Sequence, residues 1–261
     1  MKAEWLTELW RYREVFYFLV WRDVKVRYKQ TVLGAAWAVI QPFFTMLVFT
    51  FFFGKLARMP SDGIPYPIFS YSALLPWTYF SGALTFSGNS LISNANLINK
   101  VYFPRVAIPT SSVLGGLVDF GVASVVLLGM MVYYRVQPSW ELLLWPALVV
   151  FLVLLASGVG MILAALNVKY RDVKYAIPFG IQLWLFVTPI IYPTSIIPER
   201  FRFLIALNPL SGIIEAFRSS LLPARPVNWQ LLGISVVATL LIFVLGLLYF
   251  RKTERSFADI I

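Results

Sequence analysis

An all-α integral membrane protein with six transmembrane helices is what this sequence predicts. An amphipathic interfacial helix precedes the first span, and short extracytoplasmic re-entrant helices precede the last. Three observations carry the prediction. Hydrophobic residues make up 59% of the 261, against about 45–50% in soluble domains even with glycine counted as apolar. Charged residues are 13%, about half the soluble norm. The apolar residues also run in stretches long enough to cross a bilayer. A water-soluble fold has no place to hide that much apolar surface, and the same figures exclude disorder and fibrous repeats.

Residues 1–31 are polar and hold about a third of the Lys and Arg residues. No apolar run follows a short basic start, so no cleavable signal peptide is expected. From Glu4 to Tyr28, Trp5, Leu6, Leu9, Trp10, Val15, Phe16, Leu19 and Val20 recur at helical spacing, opposite Glu8, Arg11, Arg13, Arg22, Lys25 and Arg27. That pattern suits a helix lying in the membrane interface, or a short helix packed on another domain. Residues 32–261 form one membrane domain, with spans at about 32–54, 66–88, 106–132, 145–166, 176–192 and 230–250. The first span is uncharged. At about 1.5 Å per residue it reaches about 34 Å, enough for a core of about 30 Å. Gln41-Pro42 in its middle predicts a kink.

The second span carries Pro76-Trp77, Tyr79 and several Ser and Gly residues. Residues 89–105 are too polar and short to span. They read as an amphipathic helix ending at Pro104, with Leu91, Ile92, Leu97, Ile98 and Val101 against Asn94, Asn96, Asn99 and Lys100. The third span contains one acid, Asp119. The fourth ends in Ala156, Ser157, Gly158 and Gly160, small residues that let helices approach closely. A compact charged loop, 167–175, follows. The fifth span is at the short limit for crossing. Between it and the sixth, the apolar stretches 201–207 and 213–222 are too short to cross. They read as surface or re-entrant helices separated by a turn at Asn208-Pro209-Leu210-Ser211-Gly212.

Alternate loops give the orientation. Lys and Arg are roughly twice as numerous on the side of both termini, 89–105 and 167–175, which places that side in the cytoplasm. The net charge of +10 is thereby assigned to lipid headgroups and topology rather than to nucleic acid.

The chemistry available is narrow. There is no Cys and no His, which excludes disulfides, thiolate metal sites, imidazole ligands and imidazole bases. The only Gly-Lys pair, Gly54-Lys55, lacks the glycine five residues earlier that a phosphate-binding loop needs. The acids form no cluster suited to metal or acid–base work, so no catalytic, cofactor or metal site is expected. Asp119 is the exception within a span; it is read as a structural hydrogen-bonding group, with proton-coupled transport as the alternative. Glu215 and Arg218, three apart, pair along one helix face. Aromatics make up 17%. Trp37, Phe43, Phe44, Trp77, Tyr79, Trp184 and Tyr192 among them either face lipid and interface or line a conduit, where ring faces stack on sugars.

Several segments together resemble the permease subunits of type-2 ABC exporters for bacterial surface polysaccharides: O-antigen, capsule and teichoic acid. They are Arg27-Tyr28-Lys29-Gln30-Thr31-Val32-Leu33-Gly34 leading to Trp37 and Gln41-Pro42, Leu75-Pro76-Trp77, and residues 97–104 (LINKVYFP). Further on come residues 166–173 (LNVKYRDV), Thr188-Pro189-Ile190-Ile191-Tyr192 and Asn208-Pro209-Leu210. The resemblance implies a homodimer in the bacterial inner membrane, multi-pass with both termini cytoplasmic, each subunit bound to a separate cytoplasmic ABC ATPase. ATP and Mg would sit on that partner, with no cofactor on this chain. It implies ATPase coupling through Leu97, Ile98, Lys100, Tyr102 and Arg105, with Lys169, Arg171 and Asp172 nearby. The conduit would lie at the dimer axis between the first, second and fifth spans, lined by some of the seven aromatics above. Phe201, Asn208, Pro209, Glu215 and Arg218 would belong to an extracytoplasmic gate. The cargo would be a lipid-linked polysaccharide, O-antigen first. Teichoic acid, drug or lipid export is the alternative within the class, and an ion-coupled carrier using Asp119 the alternative outside it.

Overall fold

The computed structural model describes residues 11–29, 34, 36–100, 103–136, 139–221, 226–254 and 257. Among them there is no strand. Helix α1 (Arg13–Tyr28) is followed by α2 (Ala36–Phe49), which widens into a π-helical stretch, Thr50–Leu56. Next come α3 (Tyr66–Ser93), α4 (Ala95–Lys100), α5 (Ala107–Gly115) and α6 (Leu117–Tyr133). A 3-10 turn, Trp140–Leu144, leads into α7 (Trp145–Lys169) and then α8 (Val173–Val187). The last three are α9 (Glu199–Leu207), α10 (Pro209–Leu221) and α11 (Trp229–Glu254).

Helix α3 is the axis of the bundle. It packs against α2, α5, α6, α7, α8 and α10, and Phe69, Tyr71, Leu74, Leu75, Trp77 and Phe80 are buried along it. Several of its hydroxyls bond the helix's own carbonyls: Ser72 Oγ donates to the Phe69 carbonyl and Ser90 Oγ to that of Ser87. Helix α7 lies along α3 and carries α11 on its other side. The approach to α11 requires glycine. A methyl on Gly246 would overlap the Gly158 carbonyl, and one on Gly158 would stand 2.7 Å from the Phe243 Cα. Small residues at such crossings bring backbones into van der Waals contact where lipid provides no hydrophobic drive.

The long helices run between two ends of the molecule. At one end α3 and α7 finish together, with Asn167 Nδ2 donating to the Gly88 carbonyl at 2.9 Å. Helix α11 joins them there, its Glu254 Oε1 accepting from the Arg105 backbone N–H at 3.1 Å. At the other end Tyr66 donates to the Ile191 carbonyl at 2.7 Å, and Trp145 Nε1 donates to Ser220 at 2.9 Å.

Four stretches among the described residues are long and apolar enough to cross a membrane: Ala36–Leu56, Ala107–Tyr133, Trp140–Lys169 and Trp229–Glu254. The chain is therefore a multi-pass membrane protein. The other two expected spans do not reach that standard. Helix α3 has 28 residues but is too polar, being shielded by neighbours. Helix α8 is apolar but has 15 residues, about 22 Å.

Several expected boundaries move. The helix of α2 continues through Pro42, and Thr45 Oγ1 donates to the Gln41 carbonyl. The third span is two helices that meet at Gly116, whose Cα lies against the Tyr79 ring. Residues 89–105 are not one helix: residues 89–93 prolong α3, because Asn89 and Asn94 turn their side-chain amides back onto the Thr85 and Ser90 carbonyls. Only the six residues of α4 follow. The loop 167–175 shrinks to Tyr170–Asp172, since α7 runs on to Lys169 and α8 starts at Val173. The turn expected at residues 208–212 is a helix start. Asn208 caps α10 by accepting from the Leu210 N–H at 3.1 Å, and Pro209 takes the first helical position, where no N–H is needed. Helix α10 is not a surface helix: every residue in it is buried.

Gly246→Ala is expected to cost about 1–3 kcal/mol through overpacking against Gly158. Gly233→Ala, on the same helix in open space, is expected to cost nothing. Thermal unfolding in mild detergent measures both.

Candidate functional site

Each end of the bundle carries a polar cluster. At the end where α3 and α7 finish, α1 lies across α5. Leu19 is buried there among Phe103, Ile108 and Met161, while Tyr17, Phe18 and Trp21 stay exposed. Three residues pin the helix. The Asp23 carboxylate accepts from Ser112 at 3.0 Å and Ser111 at 3.3 Å, both on α5. Arg27 and Tyr28 both bond the carboxylate of Asp119, one on each oxygen. The Arg27 guanidinium also lies over the Phe86 ring at 4.2 Å. Burial, and then the bond to Asp119, hold the Tyr28 phenol above its ordinary value, so it remains a donor. Asp119 thus accepts on both oxygens from a neighbouring helix. Its cation comes from the helix before the spans.

The coupling residues implied by the resemblance are at this same end. Ile98 is buried and Leu97 half-buried against the α1–α5 core, while Lys100, Lys169, Arg171 and Asp172 are exposed. Arg105 Nη1 donates to the Glu254 carbonyl at 2.8 Å, which ties it to the end of α11. Tyr102 and residues 5–10 of the amphipathic pattern lie outside the described residues.

At the opposite end α8 stops at Val187 and the chain runs on through Thr188-Pro189-Ile190 without helical hydrogen bonds to spare. Arg218 of α10 supplies the donors. Its Nη2 donates to the Pro189 and Ile190 carbonyls at 2.9 and 3.1 Å, and its Nη1 to Glu215 at 3.3 Å. The guanidinium stacks on Phe69 of α3 at 3.9 Å. The other Glu215 oxygen accepts from Thr194 at 2.9 Å. Both charged side chains are at most 10% exposed. Beside them Asn208 accepts from Trp184 Nε1 at 3.0 Å and donates to Thr188 at 2.9 Å. Glu215 and Arg218 do pair as their spacing predicts, but the pair is a plug that closes the turn after α8, a role that α10's sequence alone does not reveal.

This layout is two polar ends, a packed interior and, among the described residues, no group of three or more potential metal ligands. The sequence matches a known membrane family: the model of the ABC-2 type transporter fits residues 14–222. The chain belongs to the ABC-2 type transporter family. It is 33% identical over 244 residues to a Klebsiella pneumoniae protein named O-antigen export system permease protein RfbA, covering 92% of each chain. It is 30% identical over 256 residues to a Myxococcus xanthus protein of the same name, covering 97% of each. The Escherichia coli polysialic acid transport protein KpsM is 24% identical over 238 residues, 90% of this chain and 92% of that one. An ABC-2 family chain is a membrane component of a transporter rather than a catalytic enzyme.

The candidate conduit aromatics of this ABC-2 chain separate into three groups. Trp77 and Tyr79 are buried in the bundle, the latter donating to the Val113 carbonyl at 3.2 Å. Trp184, Tyr192 and Phe43 are half-buried, and Trp37 and Phe44 are exposed on α2. Of the gate candidates, Phe201 is exposed on α9, while Asn208, Pro209, Glu215 and Arg218 are buried.

Arg218→Met strands the Glu215 carboxylate and two carbonyls, and is expected to cost about 3–5 kcal/mol. Glu215→Gln keeps the carbonyl contacts and is expected to cost about 1–3 kcal/mol. The unfolding midpoints of the two variants in detergent test that order.

Proposed function

We propose that this chain is the permease subunit of an ATP-driven exporter that moves a lipid-linked surface polysaccharide, O-antigen in the first instance, across the bacterial inner membrane. The observation that carries this is the identity to O-antigen export permeases, which runs through nearly the whole chain. The fold is consistent with it. In this reading the chain crosses six times, with α3 and α8 as the second and fifth crossings beside the four apolar stretches. The basic end holding α1, Lys100 and Lys169–Asp172 is the cytoplasmic one by the excess of Lys and Arg there. In this reading a separate ABC ATPase carries ATP and Mg and docks on the exposed charges of that end. Its closure is transmitted through α4 and α1 to the bundle.

Two copies side by side form the path of the polymer. The exposed apolar faces of α2 (Trp37, Phe44) and α8 (Phe179, Leu183, Phe186) are the surfaces that meet or line it. Apolar exposure on that scale belongs against lipid or a second subunit. Helices α9 and α10 stand at the exit. An ion-coupled carrier built on Asp119 is the weaker reading, because both of its carboxylate oxygens are occupied by Arg27 and Tyr28.

Expression with the ATPase encoded beside it and extraction in mild detergent is expected to yield a two-plus-two complex that hydrolyses ATP. Lys100→Glu is expected to weaken that complex. A chain that purifies alone, as a monomer, would sink the exporter reading. Asp119→Asn separates the two classes: most of the polymer export is expected to remain, whereas a proton-coupled carrier would lose its transport.

A further inference from the structure

Two hollows lie side by side on the α1 side of α3. The first is a groove of about 600 Å³ between α1 and the last turns of α3, with Arg22, Arg27, Asn89, Ser93 and Asn94 on its walls. The second is a cavity of about 230 Å³ one to three turns further into the bundle, between α2, α3 and α6. Trp37, Ala38, Pro42, Gly82, Ala83 and Phe120 line it, with Tyr28, Gln41, Thr78 and Asp119 as its polar groups. Arg27 and Phe86 line both hollows, and Asp23 lines the groove. Along α3 the order is therefore polar wall, stacked Arg27–Phe86 pair, then a mainly apolar and aromatic wall.

We propose that the adjoining groove and cavity bind one phosphate-headed lipid. The phosphate lies in the groove beside the two arginines, and the first part of the hydrocarbon chain lies in the cavity. Arginine forks match phosphate oxygens in geometry and charge. The ion pairs leave room for this. Asp23 takes Nε and Nη2 of Arg22, and Asp119 takes Nη1 of Arg27, out of five N–H donors on each guanidinium. An apolar cavity of about 150 Å³ already admits a benzene ring, so this one holds a stretch of lipid chain but not a sugar polymer. The order of the walls is that of an amphiphile entering from the bilayer edge. Two sources share the chemistry: an anionic bilayer phospholipid and the phosphorylated polyprenyl carrier of the cargo. The second source rests on the exporter reading, and the first does not.

Gly82 makes the proposal testable. A Cβ there meets nothing within 4 Å and the residue lines the cavity, so Gly82→Leu is expected to fill it. Gly129→Leu is the control, on α6 and also in open space. The full chain is purified in mild detergent, and native mass spectrometry reads its binding of phosphatidylglycerol, undecaprenyl phosphate, dioleoylglycerol and undecaprenol. The phosphate-headed probes are expected to bind at least about tenfold better than their phosphate-free counterparts. Gly82→Leu is expected to weaken them by about tenfold, the worth of about two buried methylenes, and Gly129→Leu to leave them unchanged. Preference for undecaprenyl phosphate assigns the site to the cargo carrier, and preference for phosphatidylglycerol assigns it to a bilayer lipid. Binding that ignores the phosphate, or that survives Gly82→Leu intact, overturns the proposal. Lipid binding that persists in a chain that recruits no ATPase overturns the exporter reading alone.

Discussion

A backbone that leaves its helix away from water must find hydrogen-bond partners in the protein. The bundle depends on how one residue meets that demand. Helix α8 ends after 15 residues, and the chain turns through Pro189 and Ile190 before α9. Arg218 caps both carbonyls, holds Glu215 and stacks on Phe69. One side chain thereby joins α10, the end of α8 and the central helix α3. Burying a charge is costly unless it is paired and hydrogen-bonded. Here the pairing and the backbone caps occur together, which is why a helix as polar in sequence as α10 can sit wholly inside.

The interior has a second constraint, set by distance rather than charge. Helices α7 and α11 meet at Gly158 and Gly246, and α10 meets α11 at Gly212, where an added methyl would stand 2.7 Å from the Leu231 carbonyl. These contacts draw α10 and α11 onto α7 and α3 closely enough for Arg218 to reach the Pro189 turn. Close packing and the buried ion pair therefore support one another.

The apolar helices were legible in the sequence because their signal is length and composition. The spans expected at 32–54, 145–166 and 230–250 correspond to α2 with its π-helical extension, α7 and α11. Helix α3 was legible as a long helix but not as the axis. Surrounded on all sides, it tolerates hydroxyls that bond their own helix, and no periodicity marks a buried face. The i,i+3 spacing of Glu215 and Arg218 was legible, and their burial was not, since it depends on two carbonyls some 30 residues away. Likewise Asp119 stood out as an intramembrane acid, but its partners come from α1, a helix the sequence places outside the bilayer. Local pattern reports what a residue does on its own helix; it carries no record of which distant backbone or side chain completes it.

The two polar clusters differ in a way that bears on how such a bundle moves. The Glu215–Arg218 pair is almost fully enclosed, and opening it would leave a charge without solvent, a cost of about 3–5 kcal/mol. The Arg27–Asp119 pair is part-exposed, at 17% and 27%, and water can replace either partner as it separates. Screening and resolvation make such pairs cheap to exchange. The Arg218 end of the bundle is therefore the stiff one, and the α1 end is the one whose contacts can be remade. A push delivered at α1 and α4 would displace α1 against α3 and α6 while the Arg218 plug keeps α3, α8 and α10 as a unit. Motion entering at the basic end would reach the far end as rotation of that unit, not as its unravelling.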